Sequence, residues 1–144
     1  MTLDLATRFA ITDLIHQYGT AIDTRDWKLF RSIFTDTAHI DYATAGLGTF
    51  DNADDFTKIM RQGHEPLGKT IHRLSNIVIT EGDPYAARTY GDNIVMAPDN
   101  AIGNHGAAWY DDEIVRTENG FKIARRSLTM VLFETVGTNL AAAS

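Results

Sequence analysis

Apolar residues near the start of the chain recur at steps of three and four. Leu5, Phe9, Ile11, Leu14, Ile15, Tyr18 and Ile22 predict an amphipathic helix over about residues 5–22 with one buried stripe. The pattern breaks at Thr24-Arg25. Asp26 then offers an N-cap for a short second helix carrying Trp27, Phe30, Ile33 and Phe34, which puts Asp23 where two helices meet. Residues 38–44 are strand-compatible, Gly46 and Gly48 mark a turn, and a further short helix is expected over about residues 51–61. The remainder reads as sheet, with runs at 69–80, 85–96, 105–116 and 121–133. They are separated by Glu81-Gly82-Asp83-Pro84, Ala97-Pro98-Asp99-Asn100 and Glu118-Asn119-Gly120, the last a hairpin signal through Asn119-Gly120.

Helices first and a meander afterwards predict an α+β fold, in which a strongly bent sheet wraps the helical layer and leaves a pocket. The length of 144 residues and the absence of repeats, low-complexity tracts or linkers predict one domain over 1–144, with its core at about 5–133 and a tail over 134–144. Residues 139–144 of that tail are expected to fray or to drape over the pocket mouth. Trp27, Phe30, Ile33, Phe34, Trp109 and Phe133 read as core or pocket wall.

Charge then removes whole classes of partner. The net charge is −6, and the 13 Lys and Arg are scattered singly apart from Arg125-Arg126, so no basic stripe exists for nucleic acid. Cysteine is absent, which excludes a disulfide framework, thiolate metal sites and a cysteine nucleophile. There is no basic N-terminal region followed by an apolar run, and no stretch of roughly eighteen apolar residues; a cytoplasmic protein without a membrane partner is expected. Phosphate-loop, dinucleotide-binding, His-Glu-x-x-His and Gly-x-Ser-x-Gly motifs are also missing. His39 and Asp41 share a strand face, but two ligands without a third make weak grounds for a metal, and no metal is assigned.

The informative group is Tyr18, Asp23 and His72. An aspartate at a helix end can cap the following turn or face solvent, and a strand histidine can be hydrogen-bonded into the core, so the residue types alone leave both structural and chemical roles open. Tyr18 is equally a core aromatic or a functional hydroxyl. Arg125 and Arg126 alternate across a strand, so one of them faces inward and needs an anion or carboxylate partner. His16, His39, His64 and His105 show no carboxylate partner at a recognisable spacing and read as surface or structural residues.

The string Ile15 to Trp27, Ile-His-Gln-Tyr-Gly-Thr-Ala-Ile-Asp-Thr-Arg-Asp-Trp, resembles the opening of SnoaL-like proteins of the nuclear-transport-factor-2-like superfamily. So do Phe30, Phe34-Thr35-Asp36, His72 with Asn76, Glu81-Gly82-Asp83, Trp109-Tyr110-Asp111-Asp112-Glu113 running into Arg116, and Gly120-Phe121-Lys122-Ile123. The likeness is nearest to the branch of scytalone dehydratase, hexachlorocyclohexane dehydrochlorinase and bile-acid 7α-dehydratase. It implies a cone-shaped α+β barrel: N-terminal helices packed on a strongly curved, mixed but mainly antiparallel sheet that encloses the pocket.

The resemblance also implies roles. Asp23 and His72 match the dehydrochlorinase's catalytic pair, Tyr18 matches a tyrosine of the bile-acid dehydratase, and Arg126 matches a pocket arginine, although Phe121 stands where a tryptophan is usual and Arg125 is an alternative. It implies a cofactor-independent elimination on a hydrophobic, cyclic or aromatic small molecule. A neutral imidazole with a carboxylate on its other nitrogen is fixed in one tautomer and becomes a better base, while Tyr18 or Arg126 donates to the leaving group. An isomerase or cyclase using the same pair, and a non-catalytic ligand-binding module, are the alternatives. Apolar residues on the outer sheet face predict a homo-oligomer, a trimer in preference to a dimer.

Overall fold

A computed structural model describes residues 3–137. Helix α1 (Leu5–Thr24) begins at Asp4, whose carboxylate accepts from Thr7 N at 2.9 Å, and ends at Arg25 in the left-handed conformation. Helix α2 (Trp27–Ser32) is capped by Asp26, which accepts from Leu29 N at 2.9 Å. It stops two residues short of Phe34, which instead opens strand β1 (Phe34–Tyr42). That strand therefore starts earlier than the expected residue 38. A 3-10 turn (Ala43–Ala45) and strand β2 (Gly48–Phe50) lead to α3 (Ala53–His64), which runs one turn further than its sequence pattern suggested. Strands β3 (Thr70–Thr80), β4 (Tyr85–Met96), β5 (Gly103–Thr117) and β6 (Gly120–Val136) complete the described elements.

The six strands form one mixed sheet in the order β2-β1-β6-β5-β4-β3. Only β1 and β6 run parallel, because the chain returns to pair its last strand beside its first. The sheet is curved but not closed: β2 and β3 are its edges, so the expected barrel is an open cone. Glu118 and Asn119 form the β5–β6 turn, and Gly120 supplies the positive φ of 89° that the turn requires.

Alternation in the strands decides what faces the helices. Ile40, Ile114 and Ile123 point inward from β1, β5 and β6, and meet Ile11, Ile15 and Ile22 of α1 together with Phe30, Phe34 and Phe56, all fully buried. The buried stripe runs from Thr7 through Ile11, Leu14, Ile15, Tyr18 and Ile22. Leu5 and Phe9, expected to belong to it, are 69% and 65% exposed, because the helical period places them on the far side of α1 from Thr7, Ile11 and Tyr18. Trp109, expected in the core, sits on the opposite sheet face from Tyr110, under the Arg88 guanidinium at 5.2 Å. Ile71, Val78 and Tyr90 are exposed on that outer face. No described helix is long and apolar enough to cross a membrane. Residues 139–144, expected to fray or cover the pocket, lie outside the described residues.

Gly19 lets α1 lie directly on β3. A Cβ at this position would stand 2.8 Å from the His72 carbonyl oxygen and 3.3 Å from the His72 Cβ. Exchanging a helical glycine for alanine ordinarily gains about 1 kcal/mol of helix propensity. Here the sign is expected to reverse, with Gly19→Ala lowering stability by about 1–3 kcal/mol through overpacking against backbone. A urea midpoint equal to or above that of the wild type would contradict this contact.

Candidate functional site

Asp23 and His72 come together at the contact Gly19 allows. The last turn of α1 carries the carboxylate, and β3 carries the imidazole past it. His72 Nδ1 lies 2.7 Å from Asp23 Oδ1, the His72 backbone N–H donates to Asp23 Oδ2 at 2.8 Å, and Thr70 Oγ1 donates to Oδ1 at 2.8 Å. Arg25 ties this junction: its guanidinium donates to Thr70 Oγ1, to the carbonyl of Ile22 and to that of Gly68. Burial raises the Asp23 carboxyl, but the three hydrogen bonds outweigh it and hold the group below the usual carboxylate range. An ionised carboxylate can only accept, so His72 carries a proton on Nδ1, and the neutral ring in that tautomer has its lone pair on Nε2. Asp23 caps no helix; that task falls to Asp26.

The His72 ring lines a cavity of about 420 Å³ beneath the curved sheet. Leu47, Met60, Val95, Leu128, Met130 and Phe133 supply apolar wall, and Tyr18, Tyr42, His64, Asn93 and Tyr110 the polar atoms. Lys, Arg, Asp and Glu are absent among the described lining residues. Tyr18 and Tyr42 hydroxyls lie 2.6 Å apart, so one donates to the other and one phenolic proton stays free to serve a ligand. Burial pushes both phenols above their ordinary value, which keeps them neutral donors.

Arg126 faces inward as one of the two arginines must, yet it does not line the cavity. Its Nε and Nη2 grip the Asp112 carboxylate at 2.7 Å each, both side chains are fully buried, and the guanidinium lies 4.4 Å from the Tyr18 ring centroid and 4.5 Å from that of Tyr110. It stands behind the tyrosines, so the expected contact with a leaving group is replaced by support of the rings that do line the cavity. Arg125 points outward, into a separate surface cleft with Arg88 and Asp111.

Three histidines have neighbours that the sequence did not announce. His39 pairs with Asp51 at 2.7 Å, and His105 bridges Asp92 and Glu134 at 2.5 and 3.0 Å. Those carboxylates come from other elements, so no local spacing announces them. His64 lines the cavity, with its ring centroid 5.8 Å from that of His72. Asp41 accepts from Ala43 N, and no three His, Cys, Asp or Glu side chains cluster as metal ligands among the described residues. Tyr42, His64, Asn93 and Tyr110 are the cavity groups that sequence reasoning missed.

An open cone of sheet over helices, with an imidazole–carboxylate pair on the wall of an interior cavity, defines the class: a pocket-forming α+β domain. The chain belongs to the family of SnoaL-like domains, whose model matches residues 4–127. It is 33% identical over 128 residues to the uncharacterised protein Rv2910c of Mycobacterium tuberculosis, covering 85% of this chain and 84% of that one. Among solved structures it resembles a provisionally named aromatic ring hydroxylase of Novosphingobium aromaticivorans, with a TM-score of 0.82 and 25% identity over 94% of this chain and 96% of that one. It also resembles the hexachlorocyclohexane dehydrochlorinase LinA-type3 of Novosphingobium barchaimii, with a TM-score of 0.78 and 20% identity over 92% and 91% of the two chains.

Proposed function

We propose that this protein is a cofactor-independent lyase that eliminates water or halide from a neutral, hydrophobic, cyclic or aromatic small molecule. The observation that carries the reading is the 2.7 Å bond from His72 Nδ1 to an ionised Asp23 at the wall of a largely apolar cavity. His72 Nε2 takes a proton from a substrate carbon. The C–H electron pair forms a double bond to the neighbouring carbon, and the leaving group departs from that carbon with its own bonding pair. Asp23 orients His72 and stabilises the imidazolium that forms. The free hydroxyl proton of the Tyr18–Tyr42 pair meets the charge developing on the leaving group, in a site where few waters compete.

The cavity volume suits a ring compound, and the absence of charged lining residues favours an uncharged one. The dehydrochlorinase with a similar fold bears a name for the same kind of proton-abstracting elimination. Return of the abstracted proton to a different carbon would make the protein an isomerase through the same pair, a distinction that product analysis makes.

The test is deuterium incorporation and product formation in heavy water, followed by mass spectrometry, on a panel of hydroxylated and halogenated ring compounds. Wild type is expected to exchange or eliminate, and His72→Ala to lose at least about 10²–10⁴-fold, the usual contribution of a positioned general base. Turnover undiminished in His72→Ala, or binding without any turnover in the wild type, would overturn the lyase reading.

A further inference from the structure

His64 is the last residue of α3, and its ring is turned so that Nδ1 meets the Met60 carbonyl oxygen at 2.8 Å. A carbonyl can only accept, so the proton sits on Nδ1 and Nε2 holds a lone pair. The ring packs beside Trp27, with centroids 6.2 Å apart, and Trp27 is itself held by its Nε1–H bond to Glu65 at 2.8 Å. His64 is one of the residues lining the cavity, and among the described residues nothing hydrogen-bonds to its Nε2. Burial outweighs the bond to Met60 and holds this imidazole below its ordinary value, so the ring is neutral at neutral pH.

Two imidazoles of the same tautomer therefore share one cavity. His72 has the carboxylate needed to stabilise a captured proton. His64 has only a backbone carbonyl behind it and makes a poor proton sink, but a good fixed acceptor. A second acceptor stands in the same cavity: Asn93, the cross-strand partner of His72, has a buried Oδ1 without a hydrogen-bond partner among the described residues. A buried acceptor left unpaired costs about 1–3 kcal/mol, so a pocket that holds one selects ligands able to supply the matching donor.

We infer that His64 is a specificity-determining residue whose Nε2 accepts a hydrogen bond from a hydroxyl on the substrate ring, so that hydroxylated rings are taken in preference to unsubstituted or halogenated ones of similar size. The inference rests on the reading of this cavity as the substrate site and adds the class of substrate. His64 orients the ring through its hydroxyl while His72 meets its C–H; it transfers no proton.

The probes are 2-naphthol and naphthalene, which differ only in the hydroxyl, with binding measured by equilibrium dialysis at neutral pH. In the wild type the hydroxyl is expected to raise affinity by about 5–10-fold, the equivalent of one hydrogen bond. His64→Phe, which keeps a ring against Trp27 but has no acceptor, is expected to bind both probes alike, and His64→Gln, which keeps an acceptor, to restore part of the preference. In the intact wild type, long-range nitrogen NMR should show 2-naphthol shifting the His64 Nε2 resonance and naphthalene leaving it in place.

An undiminished preference in His64→Phe, or a His64 Nε2 resonance that 2-naphthol leaves unmoved, would overturn the inference. Neither readout needs turnover. A naphthol-specific His64 signal in a protein without elimination activity would sink the lyase reading and leave this one standing, whereas His72-dependent elimination with no role for His64 would do the reverse.

Discussion

Exchanging Asp23 for asparagine is expected to lower His72-dependent proton abstraction by about 10³–10⁴-fold while leaving the fold in place. The reason is the count of acceptors. In the native protein Oδ1 accepts from the His72 ring and from Thr70, and Oδ2 accepts from the His72 backbone N–H. Asparagine offers a single oxygen. If that oxygen keeps the backbone N–H, the amide NH₂ faces Nδ1 and donates to it, which moves the imidazole proton to Nε2 and leaves no lone pair toward the cavity. Activity within about tenfold of the wild type, a loss of only ~1.4 kcal/mol, would show that Asp23 does not fix the tautomer.

The same substitution carries a pH signature. The Asp23 carboxyl is held below its unfolded value, so its contribution to stability is fully present above roughly pH 4 and is lost as pH falls through the folded value. Asp23→Asn removes that ionisation, and acid unfolding of the variant is expected to show a shallower dependence on pH in this window. An unchanged slope would place the acid sensitivity on other carboxylates.

Local pattern made some of this architecture legible and hid the rest for identifiable reasons. Helix α1 and the turn before Gly120 follow from local pattern, and the β3–β6 meander from strand-length runs set between turn signals; all three appear in the structure, although Leu5 and Phe9 fall off the buried stripe of α1. Phe34 read as helix because its spacing from Phe30 is helical, yet pairing with Ile123 on β6 draws it into β1. His64 lies outside the helix expected over about residues 51–61; contact with Trp27 and the bond to Met60 favour the extra turn. Tyr42 gave no signal at all, since its partner hydroxyl is 24 residues away on another element.

The arginines illustrate the limit of alternation. Period two required one of Arg125 and Arg126 to face inward, but β5 and β6 slip register between Glu113 and Ile114, and the side that each side chain takes follows from that bulge. The resemblance to a known family brought Asp23, His72 and Tyr18 to attention. It did not reveal that Arg126 is occupied by Asp112, because that pairing is made across the β5–β6 ladder between residues 14 apart in sequence.

Breaking the Arg126–Asp112 pair is expected to be the most destabilising single change in the molecule. Both side chains are fully buried, and the carboxylate takes Nε and Nη2 at 2.7 Å each. Burial alone would lower the Arg126 value, but the adjacent carboxylate outweighs it and holds the guanidinium charged. Asp112→Ala leaves that cation in the core facing the rings of Tyr18, Tyr110 and Phe34, with Nη1 already unpaired among the described residues. A loss of about 3–5 kcal/mol is expected, read as a fall in the urea midpoint at constant slope. Arg126→Met with Asp112→Leu removes both charges and is expected to recover most of that loss, since the core is then apolar and of similar volume. Under this reading the double variant folds but binds ring ligands less well, because Tyr18 and Tyr110 have lost the cation lying between them. A double variant no more stable than Asp112→Ala would instead mean that the pair's geometry, and not the stranded charge, holds the tyrosines and the sheet together.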